Sequence, residues 1–170
     1  MSTKPICLLG FMGAGKSRWG KLLANRLKLA FVDLDNTIEL KAGMPVPQIF
    51  MSHRETYFRK LETELLKELL DQNDLVISLG GGTPCSDENI KMLKEKALTV
   101  YLKLNAGMLH SRLISNYKRR PLLAKHKPKD LLKVITDLLA QREKYYNQAD
   151  VIIEVEKLTI EKLAVAVQTR

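Results

Sequence analysis

Apolar positions along the chain follow two alternating rhythms. Short, continuous apolar runs stand at Ile6–Leu9, Ala30–Val32, Leu75–Leu79, Thr99–Leu104 and Val151–Val155. They are too brief for helices and rich in branched side chains, so they predict buried strands. Between them apolar residues recur every three to four positions, over Lys16–Leu27, Thr37–Ala42, Val46–Met51, Glu55–Leu70, Glu88–Lys94, Ala106–Ile114, Asp130–Gln148 and Ile160–Val167. That is the spacing of one helical face. Pro45 and Pro47 suit the first turn of a short helix, where no internal hydrogen bond is lost. Strands alternating with helices predict an α/β fold, a three-layer α/β/α arrangement around a five-stranded parallel sheet. One stretch breaks the rhythm. Ser115–Lys129 is polar, basic and punctuated by Pro121 and Pro128. A loop this long in a compact domain is usually functional, so residues 115–129 are expected to form a mobile lid rather than an untidy surface loop. With 170 residues, no repeat and no low-complexity linker, residues 1–170 are expected to form one domain.

Composition narrows the partners. Hydrophobic residues make up 45% of the chain and charged residues 28%, ordinary for a soluble globular protein. No apolar run is long enough to span a bilayer, and with a strand expected from Ile6 no secretory leader is expected. Cys7 and Cys85 lack metal-ligand spacing and read as reduced thiols of a cytoplasmic protein. The net charge of +9 raises the question of nucleic acid. Much of it sits in Lys118, Arg119, Arg120, Lys125, Lys127 and Lys129, without interleaved aromatic residues on which bases could stack. A basic flap over a triphosphate accounts for the same cluster, so neither nucleic acid nor membrane is an expected partner.

The chemistry starts at Gly10-Phe11-Met12-Gly13-Ala14-Gly15-Lys16-Ser17, a G-x-x-x-x-G-K-S string between a strand and a helix. Its glycines let backbone N–H groups turn inward around phosphate oxygens, Lys16 reaches the β- and γ-phosphates, and the Ser17 hydroxyl can ligate Mg²⁺. Asp33 and Asp35 follow the second strand. Alternation along an extended chain would put both carboxylates on one side at the sheet's C-terminal edge, where ligands bind in open α/β sheets. One could then support Mg²⁺ and the other engage a substrate hydroxyl; alternatively they are a helix cap and a solvated acid. Gly80-Gly81-Gly82 closes the third strand, which suggests close approach of backbone to a ligand, or simply a tight connection. Arg59, Arg120 and Arg142 are bidentate partners for carboxylate or phosphate, although each taken alone reads as a surface residue. Phe50, Phe58 and Trp19 read as packing residues, and His53, His110 and His126 as surface or loop positions.

Together these strings resemble the shikimate kinases, small P-loop NTPase-fold enzymes similar to nucleoside-monophosphate kinases. The order carries the resemblance: GFMGAGKS, Asp33-x-Asp35, Glu55-x-x-Phe58-Arg59-x-x-Glu62, the triple glycine, Leu109-x-x-Arg112, Arg120-Pro121-Leu122-Leu123 and Arg142-x-x-x-Tyr146. It implies transfer of the ATP γ-phosphate to the 3-hydroxyl of shikimate. On that pattern Gly13, Ala14, Gly15, Lys16, Ser17 and Arg18 hold the nucleotide's phosphates, Arg112 lies against adenine, and Ser17 and Asp33 hold Mg²⁺. Asp35 grips the acceptor hydroxyls and serves as base, while Arg59 and Arg142 clamp its carboxylate and Glu62 orients Arg59. Phe50, Phe58 and the Gly80–Gly82 backbone wall the acceptor pocket, and Arg120 arrives from the lid. The implied protein is a cytoplasmic monomer. Departures from the family pattern are Arg18 for Thr, Arg54 for Gly, Leu79 for Thr, and one residue fewer between Tyr146 and Ala149. The rival expectations are a gluconate kinase sharing the phosphate loop and, from another class, a nucleotide-dependent regulator or a nucleic-acid-binding P-loop protein.

Overall fold

A computed structural model describes residues 3–169; Met1, Ser2 and Arg170, which the expected domain includes, lie outside the described residues. Five strands form one parallel sheet in the order β2-β3-β1-β4-β5. They are β1 (Ile6–Leu9), β2 (Ala30–Asp33), β3 (Leu75–Ser78), β4 (Leu98–Lys103) and β5 (Val151–Glu154). All four residues of β1 and of β3 are buried, whereas the edge strands β2 and β5 are partly exposed. This is what covered parallel sheets require: central strands are apolar throughout because both faces are packed.

The long helices begin and end close to where apolar spacing puts them. Helix α1 spans Lys16–Leu27, α2 Leu34–Ala42, α3 Val46–Ser52, α4 Glu55–Leu70, α5 Asp87–Lys96 and α6 Ala106–Leu113. A single turn α7 (Pro121–Ala124), then α8 (Leu131–Tyr146) and α9 (Ile160–Gln168), complete the chain. Ser86 caps α5 by accepting from the Asn89 N–H, and Asn105 caps α6 by accepting from Met108. Right-handed crossovers run from β1 to β2 in one direction and from β3 to β4 in the other. They therefore put α1 and α5 on opposite faces. Helix α9 packs beside α1, and α4 beside α5.

That reversal creates a crevice between the C-terminal ends of β1 and β3, which pair directly. The phosphate-loop string leaves β1 at this crevice and the triple glycine follows β3. One expectation is corrected here, and the expected lid segment gains local structure. The chain enters α2 at Leu34, three residues earlier than Thr37, because Asp33 caps it by accepting from the N–H groups of Asp35 and Asn36. Asp33 ends β2 and caps α2 while Asp35 already lies in the helix's first turn, so strand alternation is not what brings them together. Residues 115–129 also have more order than a polar loop. A 3₁₀ turn at Tyr117–Arg119 precedes α7, another at Pro128–Asp130 follows it, and the side chains of Tyr117 and Leu123 are buried. Those two anchors are too far apart to register as periodicity.

Candidate active site

The phosphate loop is built by backbone conformation. Gly13 has φ 82° and Gly15 φ 94°, in the left-handed region that costs other residues energy, and Gly15 serves as the cap of α1. Lys16 folds back under the loop, its Nζ donating to the carbonyls of Gly10 at 2.7 Å and Phe11 at 2.9 Å. Burial lowers its pKa to about 8, with Arg120 and Arg142 acting in the same direction and Asp35 and Asp33 opposing. No acidic residue stands in the first turn of α1, so the helix end stays free to favour an anion. Ser17 Oγ donates to Asp33 Oδ2 and lies 3.3 Å from Ser78 Oγ. Nothing in the sequence around Ser78 marks it as a site residue. It pairs in register with Asp33 across β2 and β3, and only that pairing reveals it.

Two cavities meet in front of this loop. The first holds Lys16, Ser17, Arg18, Asp33 and Ser78 with the glycines of the loop. The second is walled by Val46, Phe50 and Phe58, the glycines Gly80–Gly82, and the charged groups Arg59, Glu62 and Arg142. Met12, Asp35, Gly81 and Arg120 line both. Phe50 and Phe58, packing residues by the apolar pattern and wall residues by the resemblance, meet at a tilt of 45° with ring centroids 4.8 Å apart and line the second cavity as its apolar wall. Met12 joins the site although nothing in the string GFMGAGKS singles it out; Pro121 and Leu122 reach the same cavity from α7.

Asp35 stands at the junction. Burial and the neighbouring Asp33 raise its pKa to about 6, against the pull of Lys16. A Cβ on Gly80 would lie 2.9 Å from its Oδ1, so the carboxylate rests directly on the glycine backbone. Arg142 is buried at 9% exposure, its guanidinium 5.5 Å from the centre of the Phe11 ring. Its Nη1 finds no hydrogen-bond acceptor among the described residues. A buried, unmatched guanidinium N–H is costly unless an anion meets it. Arg59 is held by Glu62 at 2.7 Å and by Glu55 at 3.2 Å. The charged side chains, and not only a ligand, account for the triple glycine. Cβ atoms there would stand 2.7 Å from the Arg59 guanidinium at Gly82 and 3.2 Å from Arg142 Nη1 at Gly81.

Some expected residues stand beside the cavities and not in them. Ala14 is buried, its N–H given to the Phe11 carbonyl at 3.1 Å. Arg112 is exposed and donates to the Gly13 carbonyl at 3.1 Å, on the outer side of the loop. None of the three histidines lines either cavity. The shortened step after Tyr146 is absorbed by a turn in which Ala149 N–H donates to the Tyr146 carbonyl at 3.1 Å. Helix α8 therefore keeps Arg142 and Tyr146 one turn apart, with the Tyr146 hydroxyl donating to the Gly81 carbonyl.

The sequence profile of the shikimate kinase family matches residues 12–169. This chain belongs to that family. A shikimate kinase of Flavobacterium johnsoniae is 40% identical over 159 residues, 92% of each chain, and one of Azobacteroides pseudotrichonymphae is 37% identical over 156 residues, 91% of this chain and 92% of that one. Among solved structures, the shikimate kinase of Acinetobacter baumannii in complex with shikimate superposes with a TM-score of 0.89 at 34% identity, covering 98% of this chain and 92% of that one. A gluconokinase of Sinorhizobium meliloti covers 98% of this chain and 90% of that one, at a TM-score of 0.59 and 15% identity, a likeness of fold alone. The rival acceptor therefore has nothing beyond a shared architecture.

Proposed function

We propose that this chain transfers the γ-phosphate of ATP to the 3-hydroxyl of shikimate, releasing ADP and shikimate 3-phosphate on the route to chorismate and the aromatic amino acids. One observation carries the reading. The cavity that opens onto the phosphate loop ends, on its far side, in Arg59 and in the buried, unmatched N–H of Arg142, with Asp35 between. A small ring acid with a carboxylate at one end and hydroxyls at the other fits that polarity; a nucleoside monophosphate, which needs a base pocket, does not.

The loop N–H groups and Lys16 hold the β- and γ-phosphates, Arg18 stands at the outer rim, and Arg112 flanks the nucleoside end. Ser17 and Asp33 fit Mg²⁺, since a hydroxyl and a carboxylate in contact beside the loop are both hard oxygen donors. The described residues contain no group of three or more His, Cys, Asp or Glu side chains able to hold a metal ion, so the nucleotide's phosphates would complete its shell. When bound, the ion would neutralise charge on the transferring phosphoryl group. Arg59 and Arg142 grip the carboxylate and Phe50 and Phe58 face the ring. Asp35 orients the 3-hydroxyl and takes its proton as the new O–P bond forms and the bond to the departing ADP oxygen breaks. Arg120, at the start of α7, adds positive charge where the two cavities meet, and closure of residues 115–129 excludes water that would otherwise hydrolyse ATP. No helix among the described residues is long and apolar enough to cross a membrane. We read the chain as a monomer of the cytoplasm, a reading to which its two free thiols add support.

Release of ADP from Mg-ATP, followed by a coupled assay with shikimate, gluconate or neither, tests the reaction. Strong stimulation by shikimate alone is expected; stimulation by gluconate would discard the acceptor assignment. The clamp has its own test. Arg142→Met should raise the KM for shikimate about 10- to 100-fold, the range of a lost charged hydrogen bond, and leave the KM for ATP unchanged. Unaltered shikimate affinity in the folded variant would remove Arg142 from the site.

A further inference from the structure

We propose that Thr83 is a positioning residue of the acceptor site, holding Arg59 in place through Glu62. The inference rests on the reading that Arg59 grips the acceptor's carboxylate. Its starting point is the turn after β3. Thr83 N–H donates to the Gly80 carbonyl at 3.1 Å, which folds the three glycines into a turn and returns the chain beneath α4. There Thr83 is fully buried, and its hydroxyl donates to Glu62 Oε1 at 2.5 Å. The other oxygen of Glu62 accepts from Arg59 Nη1 at 2.7 Å. From α5, Asn89 Nδ2 donates to the Thr83 carbonyl at 2.8 Å and fixes the turn from behind.

Arg59 therefore has two kinds of support. Glu55 is more than half exposed, and its bond to Arg59 competes with water. Glu62 is 1% exposed and exchanges with no solvent, so its orientation is set by protein alone. A carboxylate with both oxygens engaged cannot rotate without losing a bond to an ionised group, and such bonds are the strong ones. Fixing Glu62 in this way fixes the guanidinium fork that the substrate must meet. The two halves of the turn divide the work. Gly82 clears the space that the Arg59 guanidinium fills, where a Cβ would come within 2.7 Å, and Thr83 supplies the hydroxyl that holds its partner. A residue without a hydroxyl would leave Glu62 Oε1 buried and unmatched.

The test is a double-mutant cycle read in steady-state kinetics. Thr83→Val, which keeps the shape and removes the hydroxyl, should raise the KM for shikimate about tenfold while kcat and the KM for ATP stay within about twofold. Thr83→Ser should restore the parental value. In an Arg59→Ala background, Thr83→Val should add no further rise, because the residue it acts through is gone. If Thr83→Val does not fold, judged by near-ultraviolet circular dichroism, Thr83→Ala carries the same comparison. An unchanged KM in a folded variant, or an equal rise with and without Arg59, overturns the proposal. Should Arg59→Ala itself leave the KM for shikimate unchanged, the acceptor-site reading is what has failed.

Discussion

Asp35→Asn is expected to lower kcat about 10²- to 10⁴-fold, the range for a lost general base, and to leave a more stable protein. Both effects come from one cause. Burial and Asp33 raise the Asp35 pKa from 3.8 to about 6, so the native state holds the ionised form at a cost. Below about pH 4 the carboxyl is protonated in both states and the cost is absent. As pH rises through 6 the native protein must ionise it in a poor environment, and the contribution to stability is lost. A shift of this size corresponds to about 3 kcal/mol at most. The pull of Lys16 is already contained in that shift, so the variant should gain at most about 3 kcal/mol, a rise in Tm of up to roughly 6–12 °C above pH 7. The gain should shrink between pH 6 and pH 4. In the parent, kcat/KM should fall about tenfold per unit below pH 6, since that ratio reports the free enzyme's base. A variant that keeps its turnover would mean that Asp35 only orients the hydroxyl.

Lys16→Met should cut kcat/KM by at least about 10²- to 10³-fold, the loss seen when one preorganised donor to developing charge is removed. The fold should survive. The Met side chain occupies the space of the lysine stem, and losing a buried cation whose pKa burial has lowered offsets the two carbonyls of Gly10 and Phe11 that lose their donor. Trp19 gives an independent readout of nucleotide binding. It is the only tryptophan in the chain, and a Cβ on Gly15 would stand 3.3 Å from its ring. Titration of its fluorescence with Mg-ATP should show binding in the parent and much weaker binding in the variant. Unchanged turnover would refute the assignment of the loop.

Most of the regular elements are legible in the apolar pattern alone. Glu55–Leu70 reads as a helix from its apolar spacing and is one, with Phe58, Leu61, Leu65, Leu66 and Leu69 buried. The run Leu75–Leu79 reads as a buried strand and Leu75–Ser78 is one. In both, the pattern works because burying one helical face, or both faces of a central strand, demands apolar residues at a fixed period. The start of α2 lies three residues ahead of the periodic pattern because an N-cap is a hydrogen bond made by one side chain, Asp33, and leaves no period behind. Tyr117 and Leu123 escape the pattern for a similar reason: single anchors in a polar segment carry no rhythm.

The phosphate loop belongs to the sequence alone. Its glycines take positive φ and its lysine and serine follow at once, so the whole device lies within eight neighbouring residues and depends on local backbone geometry. Residue types further along the chain mark candidates without assigning them. Tertiary structure decides that Asp33 caps a helix and touches Ser17 while Asp35, two residues on, meets both cavities. It also decides that Arg142 is buried with an unmatched N–H, and that Thr83 and Asn89 stand behind Arg59. Those outcomes depend on desolvation and on distances of a few ångströms between residues that lie far apart along the chain. A periodic pattern records that a side chain is buried but not which charge it is buried against.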